Sequence, residues 1–523
     1  MSRQLSKLSK SLIETYDKPQ ALSEDRTISV NPVVSEMATW YEKFRTAMDY
    51  RDDEVILRSS IERILKRRLL FQSDGALVAT PLIRELVWAR YFPDSTIGEA
   101  TVLKVASSIE LYLKFEQEVN KKNRINRNLV NEWMLHLLSS EIEHILKPSR
   151  KKDLICNFMF GIFKEQITIE DDNEEARDVQ IFIAVRRSFA NDDLAFLRYH
   201  LFNQYFGSLT KESLDKISDN FMEGLSKINS AFNYPLKDRI YNYIKNETVP
   251  FLILDDVLRE NSGKIIELTG NSDGLDMAIL NACSRRYRTI SAKVRRAVIR
   301  SIIFIFVTKA ALALTIEGSF DKFFYGRIIW SSIALNTLTP PILMIIVGFL
   351  IHTPSRENSF KILRKINSIL FDEKPKLNNF LIVKKKPNKT DPILWGLFII
   401  LWLATFALSF GAIVFVLSKL RVNPLSQSVF VFFLAIVSFV SYRINKTANM
   451  YVVKENKENW TSIAFDFFFM PFIQVGRKLT QAVSQINIIL FIFDFIIETP
   501  FKGIFAFFEQ WLLFLRTQRE KLE

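Results

Sequence analysis

Cysteine is almost missing from this chain: Cys156 and Cys283 are the only two in 523 residues. That scarcity excludes a disulfide framework, and neither thiol has a partner at metal-ligand spacing. A reducing, cytosolic setting is the natural reading. Glycine is scarce where phosphate chemistry would need it. Eight of the 15 glycines precede residue 296, and none forms G-x-x-x-x-G-K-[ST], a G-x-S-x-G elbow or a Gly-rich phosphate cradle. ATP-driven transport and hydrolase chemistry therefore lack a visible engine. The opening stretch, MSRQLSKLSKSLIETYDKPQ, has no apolar core of signal-peptide length, so the region behind it is expected to stay on the synthetic side of a membrane.

What is present divides in two. Residues 1–296 carry charge at nearly every turn, whereas 297–523 alternate long apolar runs with basic patches, and phenylalanine is abundant, with 45 in the chain. A chain of this length exceeds one compact core. Composition thus predicts a soluble half and a membrane half.

About 20 apolar residues are needed to cross a bilayer. Four stretches qualify as expected spans: Ala297–Ile316, Ile328–His352, Pro392–Leu417 and Leu425–Tyr442. The segment SRRYRTISAKVRR before the first has six Lys/Arg and no acid, and residues 353–391 hold ten Lys/Arg against four Asp/Glu. The two outer connections hold only Lys322 and Arg327, then Lys419 and Arg421. The positive-inside rule then sets both termini in the cytoplasm, in a plasma or inner membrane.

Helical periodicity runs from Ser35 to about Ala282, as in DEVILRSSIERILKRRLLF and SLDKISDNFMEGLSKINSAF, with little that reads as a strand. The expected architecture is all-α: a flexible polar tail over 1–34, a cytosolic multi-helix domain over 35–282, a basic juxtamembrane segment over 283–296, and four transmembrane helices within 297–442. The last part, 443–523, has apolar stretches too short to span, with a narrow polar stripe from Ser462 to Arg516. That pattern predicts interfacial or re-entrant amphipathic helices, bent at Pro471 and Pro500.

Few residues suggest chemistry. His136, Ser140 and His144 share a helix face, yet no acid stands at metalloprotease spacing. Asp255 and Asp256 read as helix-start caps, and IEDDNEEARD as a solvated helix N-terminus rather than a calcium loop. Neither a cofactor nor a metal is expected, and no catalytic residue is assigned. The formal charge of +13 is clustered beside the spans. Arg285, Arg286, Arg288, Lys293, Arg295 and Arg296, with Lys384, Lys385 and Lys386, are expected to contact anionic lipid headgroups rather than nucleic acid.

One apolar run contains its own breakers. In NTLTPPILM, Pro340 frees the carbonyl of Asn336 and Pro341 that of Thr337, and an unpaired carbonyl in lipid costs several kcal/mol. At about 1.5 Å per residue, Asn336 lies roughly 12 Å and Lys309 roughly 10 Å below the outer ends of their spans. Two arrangements would satisfy these groups. Lys309 donates to the freed carbonyls, with the Asn336 amide completing an intramembrane polar site. Alternatively, Lys309 snorkels outward while the hydroxyls of Thr337 and Thr339 relieve an ordinary kink.

The function expected first is a membrane scaffold or adaptor whose helical domain binds a cytosolic protein. A channel or transport component, for which four spans would form a pore only by assembling several copies or by recruiting the C-terminal segments, comes second. A lipid-modifying enzyme is a distant third, His352 being the one histidine near the interface.

Overall fold

The 3.6-residue periodicity is realised as helix along most of the chain: the computed structural model is 83% helix and 2% strand, so the all-α expectation holds. It describes residues 4–16, 30, 35–39, 42, 55–70, 72, 74–122, 126–327, 330–375, 377, 380–384, 392–420, 422–453, 460–484 and 498–520. The first helices are α1 (Lys7–Tyr16), α2 (Ile56–Leu69), α3 (Gly75–Trp88), α4 (Glu99–Lys122), α5 (Arg127–Leu146), α6 (Arg150–Gln166) and α7 (Glu174–Val185). After a π-turn at Arg186–Ala190 come α8 (Leu194–Phe206), α9 (Leu214–Phe232), α10 (Lys237–Glu247), α11 (Val249–Glu260) and α12 (Ile265–Gly270). The remainder comprises α13 (Ser272–Leu312), a π-turn at Ala313–Glu317, α14 (Gly318–Tyr325), α15 (Trp330–Leu350), α16 (Arg356–Phe371), α17 (Pro392–Lys419), α18 (Pro424–Ala448), α19 (Trp460–Ser484) and α20 (Glu498–Glu520). Two short strands, β1 (Ile167–Glu170) and β2 (Leu381–Lys384), pair in parallel, Ile167 opposite Leu381 and Glu170 opposite Lys384.

The N-terminal half has two apolar cores. The first joins α2 to α5 with α8 and α9, and Phe115 is its aromatic hub, in edge contact with Phe202 at 5.9 Å and Phe221 at 5.4 Å. Such pairs add roughly 0.5–1.5 kcal/mol beyond their buried area. The second gathers α1, α6, α10, α11 and α16 around α13 and continues to Ile305, Met344 and Phe433 on the apolar helices. The expected boundary at residue 282 therefore falls inside a helix and inside a core. Its cause is legible: no glycine or proline interrupts the chain from Leu275 to Glu317, and the Asn271 side chain caps the start by accepting from the Gly274 amide at 3.2 Å.

Two segments outside the expected helical domain pack against it. Residues 7–16 of the expected flexible tail form α1, which buries Leu12, Ile13 and Tyr16 and is tied to α16 by Ser6 N to the Leu370 carbonyl at 2.9 Å. The basic segment 353–391, expected as a loop, supplies α16 to the second core and β2 to the pairing with β1. A chain that leaves along α13 is thus brought back by α15, because α16 and β2 both pack on the N-terminal half.

Among the described residues three helices, not four, are long and apolar enough to cross a membrane: Ser272–Phe324, Pro392–Lys419 and Pro424–Ala448. The expected second span corresponds to α15, of which Asn336–Leu350 counts as a shorter apolar stretch among the described residues. Ile328 lies outside the described residues. At the C-terminus, α19 packs on α17 and α18. Phe472 is fully buried with Phe410, ring centroids 4.5 Å apart, and Gly476 lets the backbone of α18 approach at Ala435. Helix α20 seats Leu512 against the first core and exposes Phe507, Phe508 and Trp511.

Candidate functional site

The polar residues buried among the apolar helices converge on one carboxylate. Lys309, fully buried on α13, donates to Oε1 of Glu317 at 2.5 Å, and Glu317 is equally buried. Its other oxygen, Oε2, accepts from the Asn336 amide at 2.7 Å and from the Ser426 hydroxyl at 2.7 Å. The same Asn336 amide also reaches the Ser426 carbonyl at 3.2 Å. The Lys309 ammonium stands 5.4 Å from the centre of the Phe433 ring, within cation–π range. One carboxylate thereby ties α13, α15 and α18 together.

The local sequence explains each position. Eight α-helical residues turn about 800°, leaving position 317 roughly 80° off the face of Lys309. The π-turn at Ala313–Glu317 winds less per residue and returns Glu317 to that face. On α18, Asn423 is the N-cap: its Oδ1 accepts from the Ser426 amide at 2.7 Å, and its Nδ2 donates to Asp321 at 2.8 Å, so the cap orients Ser426 towards Glu317. Asp321 is also buried, one turn beyond Glu317.

Of the expected site residues, Lys309 and Asn336 meet, but through Glu317. The ammonium does not donate to the carbonyls freed by the prolines, nor does it snorkel, having no exposed surface. Pro340 and Pro341 are accommodated in the interior of α15, which continues through them. Thr337 is buried with no partner for its hydroxyl, so it does not relieve the kink, and Thr339 is half-buried. Buried polar atoms are normally satisfied. The Oδ1 of Asn336 and the hydroxyl of Ser409 are likewise without partners. Glu317, Ser426 and Asn423 were not named from sequence. The signal is present in the sequence: Glu317 stands eight residues after Lys309 with no breaker between them, but the apolar run ends at Ile316, one residue before it.

The basic cluster separates into roles. Arg286 pairs with Asp256 through Nε at 2.5 Å and Nη2 at 2.6 Å, Arg285 pairs with Glu260, and Lys384 with Glu170 at 3.2 Å. These side chains fasten elements of the second core. Arg288 and Arg295 instead line a groove, while Lys293 and Arg296 are exposed on other faces of α13. Lys385 and Lys386 lie outside the described residues.

Elsewhere, Asp255 and Asp256 are not helix-start caps, since they sit in the second half of α11; Asp255 accepts from the Tyr16 hydroxyl at 3.1 Å and pairs with Arg259 at 2.8 Å. Asn173 in the acidic run does cap α7, accepting from the Ala176 amide at 2.8 Å. His136 Nδ1 lies 2.8 Å from an Arg198 nitrogen and so accepts from it; burial pushes this imidazole below its usual range, which keeps it neutral. Among the described residues no group of three or more His, Cys, Asp or Glu could hold a metal ion. Burial raises the thiols to about 12 at Cys156 and about 11 at Cys283, which makes both unreactive. His352 is exposed, with Nδ1 2.8 Å from the Leu350 carbonyl.

Comparison with protein families, characterised proteins and solved structures finds no match to this chain.

Proposed function

We propose that this protein is a multi-pass membrane scaffold that holds a rigid helical domain at the cytoplasmic face of a plasma or inner membrane and binds a protein partner there. The observation that carries the reading is the uninterrupted helix Ser272–Phe324, which leaves the second core and becomes an apolar rod. A flexible tether would let the domain swing; a core continuous from Tyr16 to Phe433 fixes its orientation. The basic stretches beside the apolar helices support the cytoplasmic placement of the helical domain. The fully buried, mutually satisfied Lys309–Glu317 pair supports a structural clasp between helices.

One observation favours a second reading, a transport component: an ion pair within apolar helices beside a proline-interrupted one is also how pathways are lined. Because the core passes through residue 282, an excised 35–282 fragment lacks α1, α16 and β2, so the test requires the full chain. Extracted from cells into nanodiscs, it should carry one protein at fixed stoichiometry, crosslinked to residues between 55 and 270. A chain that carries no protein and conducts solute in proteoliposomes contradicts the scaffold.

A further inference from the structure

One face of α13 changes character where its apolar stretch begins. Arg288, Ser291 and Arg295 are spaced at three- and four-residue steps and form one wall of a groove of about 860 Å³. The opposite wall is the turn from α15 into α16, with Thr353, Arg356 and Phe360. Ser291 donates to the Thr353 hydroxyl at 3.1 Å, joining the walls. Among the described residues no acidic one lines the groove. Among the described residues, none of these three arginines has a carboxylate partner, in contrast to Arg285 and Arg286.

The same face continues as hydrocarbon. Ile299, Ile303 and Phe306, at helical steps of four and three beyond Arg295, are all substantially exposed. An inorganic anion has no use for that stripe. An amphiphile uses both halves, with charge-assisted bonds from guanidinium to phosphate and chains laid along the apolar stripe.

We propose that this groove is a binding site for an anionic phospholipid, with its phosphate among Arg288, Arg295 and Arg356 and its acyl chains along the Ile299–Phe306 face. The site rests on the membrane placement proposed above, not on the scaffold reading.

Native mass spectrometry of the full chain in detergent tests it, with phosphatidylglycerol and phosphatidylcholine of equal chain length as probes. The wild type should retain phosphatidylglycerol selectively. Arg288→Gln/Arg295→Gln should lower that retention roughly 30-fold, at about 1 kcal/mol per cation, and Arg356→Gln on the opposite wall should lower it too. Lys293→Gln/Arg296→Gln removes the same charge at nearly the same depth and should leave selectivity intact; equal loss from both double variants overturns the groove. Displacement of the lipid by millimolar inorganic phosphate overturns the lipid as occupant. A chain that inserts into vesicles without lipid selectivity contradicts the groove alone, whereas failure to insert contradicts the membrane placement beneath it.

Discussion

Lys309 and Glu317 lie eight residues apart on one continuous helical path, and their side chains meet at 2.5 Å with no exposed surface on either. Removing one partner leaves an uncompensated buried charge, which typically costs about 3–5 kcal/mol, whereas replacing both with apolar groups is often close to neutral. Thermal melting in detergent should therefore show Lys309→Met and Glu317→Met each strongly destabilised, with the double variant recovering much of the loss. Additive losses would mean that the two charges do not support each other.

Gly476 should tolerate no side chain. An added Cβ would come within 3.0 Å of the Ala435 carbonyl and the Phe439 side chain, and backbone cannot move aside as a flexible side chain can. Gly476→Val should separate α19 from α18 and lower the melting temperature, while Gly411→Val, with open space at its Cβ, should be nearly neutral by the same measurement.

Glu143 should make the helical half pH-sensitive. Burial raises its carboxyl to about 7 from an ordinary 4.5, against the opposing pull of Lys147, Arg58 and Lys152, and its Oε2 has no hydrogen-bond partner. The folded state thus holds this proton to higher pH than the unfolded state. Its contribution to stability falls as pH rises from about 4.5 to about 7, then stays level, a difference on the order of 3 kcal/mol at most. Glu143→Gln should remove that slope, so its advantage over wild type in denaturant titrations should be larger at pH 8 than at pH 5. An equal advantage at both would show that the carboxylate is not destabilised by burial.

Much of the fold was legible because it depends on local pattern: the helices, the division between charged and apolar regions, and the prolines inside α15. What was not legible depends on partners distant in sequence. Residues 7–16 look polar until Leu12, Ile13 and Tyr16 find α11 and α16, and Ile167–Glu170 lies in a region with little that reads as a strand until Leu381–Lys384 pairs with it. The site was half legible. Lys309 and Asn336 were marked by being polar in apolar runs, but the residue that joins them was hidden because a span was counted to its last apolar position. The π-turn, which turns Glu317 to the right face, has no signature in hydropathy. The basic cluster also looked uniform in sequence, and only the fold distinguishes Arg286, paired with Asp256, from Arg288, which faces a groove.

The central claim, a clasped and non-conducting bundle holding a rigid domain, is tested most directly by flux. Proteoliposomes containing the full chain should pass protons and small ions no faster than protein-free vesicles, with wild type and Lys309→Met/Glu317→Met alike. A wild-type flux that the folded double variant abolishes would contradict the clasp and make the same four side chains, Lys309, Glu317, Asn336 and Ser426, part of a pathway.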